Sequence, residues 1–196
     1  ISPNDIAWAG CCHPLAMEYN FIGYNGLPCH ADSMCTCHMD PFYCTLPSCF
    51  VAGTEVTMLD GFSKNIENIV IGDIIRSYNE YTNEISDATV IKTQSQTTSK
   101  TVKLNFNNIE VQSTFDHPYY VENKGWSIYD PESSNHSFAV NKLEIGDICY
   151  VHNNGNIDKV KLTNTEEVIE NVTTYIFTLD RDKTFFANNI LVHNKQ

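Results

Sequence analysis

The sequence predicts an all-β fold with internal pseudo-two-fold symmetry, preceded by a small loop-rich, cysteine-rich segment. Three observations carry that expectation. From Cys49 onward, short runs rich in Val, Ile, Thr, Tyr and Phe alternate with Asn, Asp and Gly turns, the pattern of half-buried strands. No amphipathic helix of more than a turn or two interrupts them. One stretch also occurs twice. Ile66-Glu67-Asn68-Ile69-Val70-Ile71-Gly72-Asp73-Ile74 is echoed by Val140-Asn141-Lys142-Leu143-Glu144-Ile145-Gly146-Asp147-Ile148, at an offset of 74 residues. Two copies at a fixed offset point to a duplicated β unit.

In chain order, the expected strands are Glu55–Met58, Asp73–Tyr78, Ala88–Gln94, Thr101–Phe106, Glu110–Ser113, Pro118–Glu122, Ser137–Val140, Ile148–His152, Val160–Thr163, Thr174–Leu179 and Ile190–Val192. Asp60-Gly61 and Asn154-Gly155 are strong turn signals. In each copy of the repeat, the Gly-Asp pair turns the chain into a strand. The symmetry puts Cys149 where Ile75 stands in the first copy, so Cys149 reads as a small buried hydrophobe.

Residues 1 to 48 differ in character. Six of the eight cysteines (Cys11, Cys12, Cys29, Cys35, Cys37, Cys44) fall there, with five prolines and little periodic hydrophobicity. Such a segment has too little apolar mass to fold alone. Three readings stay open for it: a disulfide-stapled unit, a zinc site using Cys29, Cys35, Cys37 and His38, or a flanking piece of a host protein. The Cys-x-Cys spacing departs from the Cys-x2-Cys usual at zinc sites.

Bulk composition narrows the classes of function. The chain has 196 residues, 42% hydrophobic and 18% charged, and a formal net charge of −12. No cluster of Lys or Arg is present to displace counterions from a nucleic-acid backbone or to settle on an anionic lipid surface. Nucleic acid and membrane are therefore not expected as partners, and a monomer is. No apolar run approaches the roughly 20 residues of a membrane-spanning helix. The chain opens at Ile1 without a basic-then-apolar leader, as expected of a piece of a longer polypeptide. The compartment is unspecified, although a reactive thiol suits the cytoplasm.

Cys49 marks the boundary between the two regions. A cysteine thiol can attack the carbonyl of the residue before it, here Ser48, and turn an amide into a thioester. The shift is uphill unless the amide is strained or its nitrogen is protonated as it leaves. Thr114 and His117, with Asp116 between them and Pro118 after, lie on a stretch that can turn both side chains toward one point. The imidazole is suited to proton donation near neutral pH. At the far end, the Asn194 side-chain amide can attack its own backbone carbonyl, forming a succinimide and breaking the bond to Lys195. His193 is placed to assist by protonating the leaving amine. None of these steps needs a cofactor.

Three blocks carry a family resemblance: Cys49-Phe50-Val51-Ala52-Gly53-Thr54, the Thr114-x-x-His117 set, and Phe185-Phe186-Ala187-Asn188-Asn189-Ile190-Leu191-Val192-His193-Asn194. In this order they resemble the first, second and last sequence blocks of the Hint superfamily, which includes inteins and bacterial intein-like domains. The resemblance spans Cys49 to Asn194, leaving 1–48 and 195–196 as flanks. It implies a β horseshoe that brings its termini together. It also implies an autocatalytic, single-turnover activity on the flanking polypeptide, with Cys49, Thr114, His117, His193 and Asn194 as catalytic residues and Ser48 and Lys195 beside the scissile bonds.

Departures from the family pattern shape the expected outcome. Splicing inteins carry Cys, Ser or Thr after the last Asn, whereas Lys195 has neither thiol nor hydroxyl. Cleavage at both ends is therefore expected, with low-level ligation if the freed amine of Lys195 takes the thioester. Lys183 stands where the family often has a histidine, and Ile176 follows Tyr175 where an Asp or Cys is common; Asp180 or Asp182 are expected to substitute there, and Asp116, Asp180 and Lys183 are the accessory candidates. The contrasting expectation is a degenerate, non-catalytic Hint β module that serves assembly of its host protein. A disulfide from Cys44 to Cys49 would silence the nucleophile.

Overall fold

The computed structural model describes residues 48–133 and 138–194. The chain divides into two compact units at Leu46/Pro47, and everything below concerns the second. The cysteine-rich segment, with Cys29, Cys35, Cys37, His38 and Cys44, lies outside the described residues, as do His136 and Lys195.

Fifteen strands carry nearly all of the regular structure: β1 (Phe50–Val51), β2 (Glu55–Thr57), β3 (Ser63–Asn65), β4 (Ile74–Asn79), β5 (Glu84–Thr98), β6 (Thr101–Phe106), β7 (Ile109–Ser113), β8 (Tyr119–Val121), β9 (Gly125–Ile128), β10 (Asn141–Lys142), β11 (Ile148–Asn153), β12 (Asn156–Val168), β13 (Val172–Leu179), β14 (Thr184–Ala187) and β15 (Ile190–His193). Two single-turn 3-10 helices, Ile66–Asn68 and Pro131–Ser133, are the only helical pieces among the described residues. The all-β expectation holds.

Hydrogen bonding links the strands in the order β3-β2-β14-β15-β8-β11-β12-β6-β7-β1-β13-β5-β4, with β9 and β10 beside β8. A bridge between Met58 and Ile75 joins the far ends of this path, so the sheet curls back on itself around its core. All strand pairs are antiparallel except β10 with β9.

The repeat read from the sequence is physical. Gly72 and Gly146 have φ of +95° and +103°, a region that L side chains rarely enter. The next residue in each copy is an aspartate whose carboxylate accepts a backbone N–H three residues back: Val70 to Asp73 at 2.9 Å, Glu144 to Asp147 at 2.8 Å. A lysine pairs with each carboxylate, Lys64 at 2.7 Å and Lys124 at 3.0 Å. Each turn feeds a hairpin, β4–β5 or β11–β12. Ile75 and Cys149 occupy equivalent, fully buried positions.

The long second strands of these hairpins change partners along their length. β5 pairs with β4 near its start and then with β13, which belongs to the second copy. β12 pairs with β11 and then with β6 of the first copy. Each half thus lends a strand to the other, and the core cluster draws on both, including Val90, Leu104, Phe106, Leu162, Phe177 and Leu179.

Differences from the expected strands have local causes. β5 and β12 run longer than expected because their distal halves pair across the duplication, and apart from Ile91 their exposed residues are polar. The expected strand at Ser137–Val140 is absent over Phe138–Val140. The chain there turns Phe138 onto the His193 ring, with centroids 4.7 Å apart, and pairs only at β10. β14, with all four residues buried, lacks the alternation that marks a half-buried strand.

Candidate active site

The Cys49 end is built on β1. Phe50 pairs with Tyr175 of β13 and with Ser113 of β7, so the two-residue strand is held on both edges. Ser48 and Cys49 are fully buried just before it. After it the chain leaves through Gly53 (φ +83°), whose N–H donates to Glu67 Oε2 at 2.8 Å. That bond is the main reason the Glu67 carboxyl sits below its ordinary range.

Thr114 grips Cys49 on both sides. The Cys49 N–H donates to Thr114 Oγ1 at 3.0 Å, and the Thr114 N–H donates to the Cys49 carbonyl at 2.9 Å. The Cys49 nitrogen is the atom that must be protonated for the Ser48–Cys49 bond to open. The Ser48 hydroxyl donates to Asp116 Oδ2 at 3.1 Å and reaches the Asp116 carbonyl at 3.2 Å. The same turn carries His117, whose N–H donates to Thr114 O at 3.2 Å. Its fully buried ring lies 4.0 Å from that of Phe50.

The Asn194 end arrives on the other side of that turn. Val192 of β15 pairs with Tyr119, and the His193 N–H donates to Pro118 O at 3.0 Å. The five residues Thr114 to Pro118 thus touch Cys49 at one end and His193 at the other. The β14–β15 hairpin that delivers this end turns through Asn188 and Asn189, both at positive φ, a geometry asparagine tolerates. Their side chains fasten it. Asn188 accepts from the Glu55 N–H at 2.7 Å, and Asn189 from the Thr57 hydroxyl at 3.1 Å.

His193 is packed between Trp126 and Phe138, with ring centroids 5.0 and 4.7 Å away. The Asn194 N–H donates to Lys183 O at 2.6 Å. Its side chain is 1% exposed, and neither amide atom has a hydrogen-bond partner among the described residues. Such groups are costly to bury, and an amide nitrogen in that state is uncommitted.

Of the accessory candidates, Asp116 sits at the Cys49 end, whereas Asp180, like Asp182, falls elsewhere. Asp180 accepts from the Thr89 N–H at 2.8 Å. Asp182 accepts from Ser86 and from Asn79. Both fasten the β4–β5 hairpin. Ile176 is buried among apolar neighbours. Lys183 meets the site through its backbone carbonyl. One contact had no signal in the sequence: Gln96 on β5, whose Nε2–H donates to Cys49 Sγ at 3.4 Å. No His/Cys/Asp/Glu cluster that could hold a metal occurs among the described residues. No helix there is long and apolar enough to cross a membrane.

Comparison with known proteins places this fold. The chain superposes on the bacterial intein-like domain from Clostridium thermocellum with a TM-score of 0.63 and 30% identity, over 76% of this chain and 100% of that one. The profile of the Ataxin-1 and HBP1 module (AXH) matches residues 50–154. The chain belongs to the intein-like Hint superfamily and, over residues 50–154, to the AXH family. The DnaB intein from Synechocystis sp. PCC 6803 shares the Hint fold, with a TM-score of 0.62 at 17% identity over 76% of this chain and 99% of that one. Homo sapiens Ataxin-1-like is 26% identical over 113 residues, which is 53% of this chain but 16% of that protein. The AXH match starts one residue after Cys49 and stops well before His193, so both ends of this Hint domain's candidate site lie outside it.

Proposed function

We propose that this Hint domain processes itself, cutting the chain at Ser48–Cys49 and at Asn194–Lys195. The observation that carries the reading is the double hydrogen bond between Thr114 and Cys49, with the scissile nitrogen 3.0 Å from Thr114 Oγ1. A hydroxyl at that atom, with the buried His117 imidazole in the same turn, suits protonation of the departing amine.

In the first step Cys49 Sγ gives up its proton and attacks the Ser48 carbonyl carbon. A tetrahedral oxyanion forms, the C–N bond breaks, the Cys49 nitrogen takes a proton, and a thioester results. Water or an added thiol then attacks the thioester and regenerates the Cys49 thiol. At the other end, Asn194 Nδ2 attacks the Asn194 carbonyl carbon, closing a succinimide. The bond to Lys195 breaks and its nitrogen leaves as an amine. Holding the Asn194 N–H on Lys183 while the side-chain amide stays uncommitted favours that attack by orientation. The freed amine of Lys195 can take the thioester as a minor ligation route.

Intact-mass spectra of the full chain over time test this. Cys49→Ala is expected to abolish thiol-accelerated release of residues 1–48, and Asn194→Ala to abolish release of 195–196. Unchanged processing in both variants overturns the reading. A second reading, a non-catalytic module serving assembly of its host, is favoured by the limits of the AXH match, which omits Cys49, His193 and Asn194. It predicts a chain that keeps its full mass indefinitely, with and without thiol.

A further inference from the structure

We infer that Gln96 is a catalytic residue of the amino-side reaction, acting as the hydrogen-bond donor that stabilises the Cys49 thiolate. This rests on the self-processing reading above. Burial opposes ionisation of a thiol, because the charged form loses its hydration. The same fold shows the effect at Cys149, where burial first and the Asp147 carboxylate second push the thiol up to about 12. Cys49 is just as deeply buried, yet it must supply a nucleophile.

Two features set the two thiols apart. Cys149 has no hydrogen-bond donor among the described residues, whereas Gln96 Nε2 donates to Cys49 Sγ at 3.4 Å. A thiol sulfur is a weak acceptor and a thiolate a strong one, so the bond strengthens as the proton leaves and favours the reactive form. The donor is also fixed in place. Gln96 pairs with Thr174 in the β5–β13 ladder, and its carbonyl accepts from Thr174 Oγ1 at 3.3 Å. Thr174 is itself opposite Val51 of β1. Gln96 and the nucleophile's own strand are therefore tied to the same strand. A neutral amide adds no charge beside the Ser48 carbonyl and so leaves the developing oxyanion unopposed.

The ionisable groups on the elements packed about Cys49 are Asp116 and His117 on the turn after β7, Glu110 on β7, Tyr175 on β13, and Glu84, Asp87 and Lys92 on β5, with Glu67 bonded to the Gly53 N–H and His193 at the end of β15. Gln96 donates a hydrogen bond to the sulfur itself.

The test is the Gln96→Glu exchange, which keeps size and shape but replaces the donor by an acceptor, beside Gln96→Ala, in the full chain. Release of residues 1–48 by dithiothreitol is followed by intact mass from pH 6 to 10, in chains that also carry Asn194→Ala. Carboxyl-side cleavage is followed in chains that carry Cys49→Ala. The expected result is amino-side release slowed about tenfold near neutral pH. The rate profile should shift to higher pH, and carboxyl-side cleavage and the melting temperature should stay as in the parent. Equal rates and the same profile as the parent overturn the inference. So does equal slowing at both ends, which marks a structural role. If the parent itself releases nothing under thiol, the self-processing reading falls, and the role of Gln96 falls with it.

Discussion

Cys149 and Cys49 are two buried thiols in one core with different surroundings, and only one of them is expected to react. Cys149 pairs with Val160 on one side and Val121 on the other, and its pKa rises from 9.0 to about 12. A group that holds its proton more tightly when folded stabilises the fold fully below pH 9. That contribution is lost as pH climbs through 12, because the unfolded chain then releases the proton first. Tyr119, fully buried and also pushed upward by burial, acts in the same direction. The informative quantity is therefore a difference. Cys149→Val, which approaches the Ile75 of the first copy, is expected to lose less stability than the parent between pH 8 and pH 11, read by urea unfolding. At this scale the sequence was legible where chemistry dictates both residue type and spacing. Cys49, Thr114, His117, His193 and Asn194 all fall on segments that meet around one turn. Gln96 was not legible, because its contact with Cys49 crosses 47 residues and depends on the exact register of β5 against β13.

At the scale of elements, the Gly-Asp turns are the units that can be perturbed in pairs. A Cβ added at Gly72 or Gly146 would meet no heavy atom within 4 Å, so the cost of alanine there is conformational alone. Gly72→Ala and Gly146→Ala are each expected to lower stability by about 1–2 kcal/mol, by similar amounts, as measured by urea denaturation. A markedly unequal pair would mean that the two copies are not energetically equivalent. These turns were readable because a glycine at positive φ followed by a side-chain acceptor is a local motif. β14 was not, since Thr184, Phe185, Phe186 and Ala187 are all buried and a strand covered on both faces shows no period of two. β1 was missed as a strand for another reason. Two residues are too few to form a pattern, and their pairing is supplied entirely by β7 and β13.

For the whole molecule, the exchange of β5 and β12 makes the halves interdependent. Severing the chain at the β6–β7 turn, where Asn107 adopts φ +56°, separates β5 from β13, β6 from β12 and β1 from both of its neighbours. Residues 1–107 and 108–196 are each expected to show an unfolded circular-dichroism spectrum alone, and to regain β structure when mixed. A folded isolated half would contradict the exchange. The duplication could be read from the sequence, but the exchange of strands could not. The repeat shows that two similar units exist, while the choice of partner depends on contacts between distant parts of the chain.

The five residues Thr114 to Pro118 also have a mechanical meaning. One end holds Cys49 through Thr114, and the other holds His193 through Pro118. A pull applied between the two flanking polypeptides would load this short stretch and the few hydrogen bonds beside it first. The long ladders of β5 and β12 would be largely spared. The domain is thus built like a buckle: tension on the strap concentrates at the clasp, beside the two bonds proposed to open.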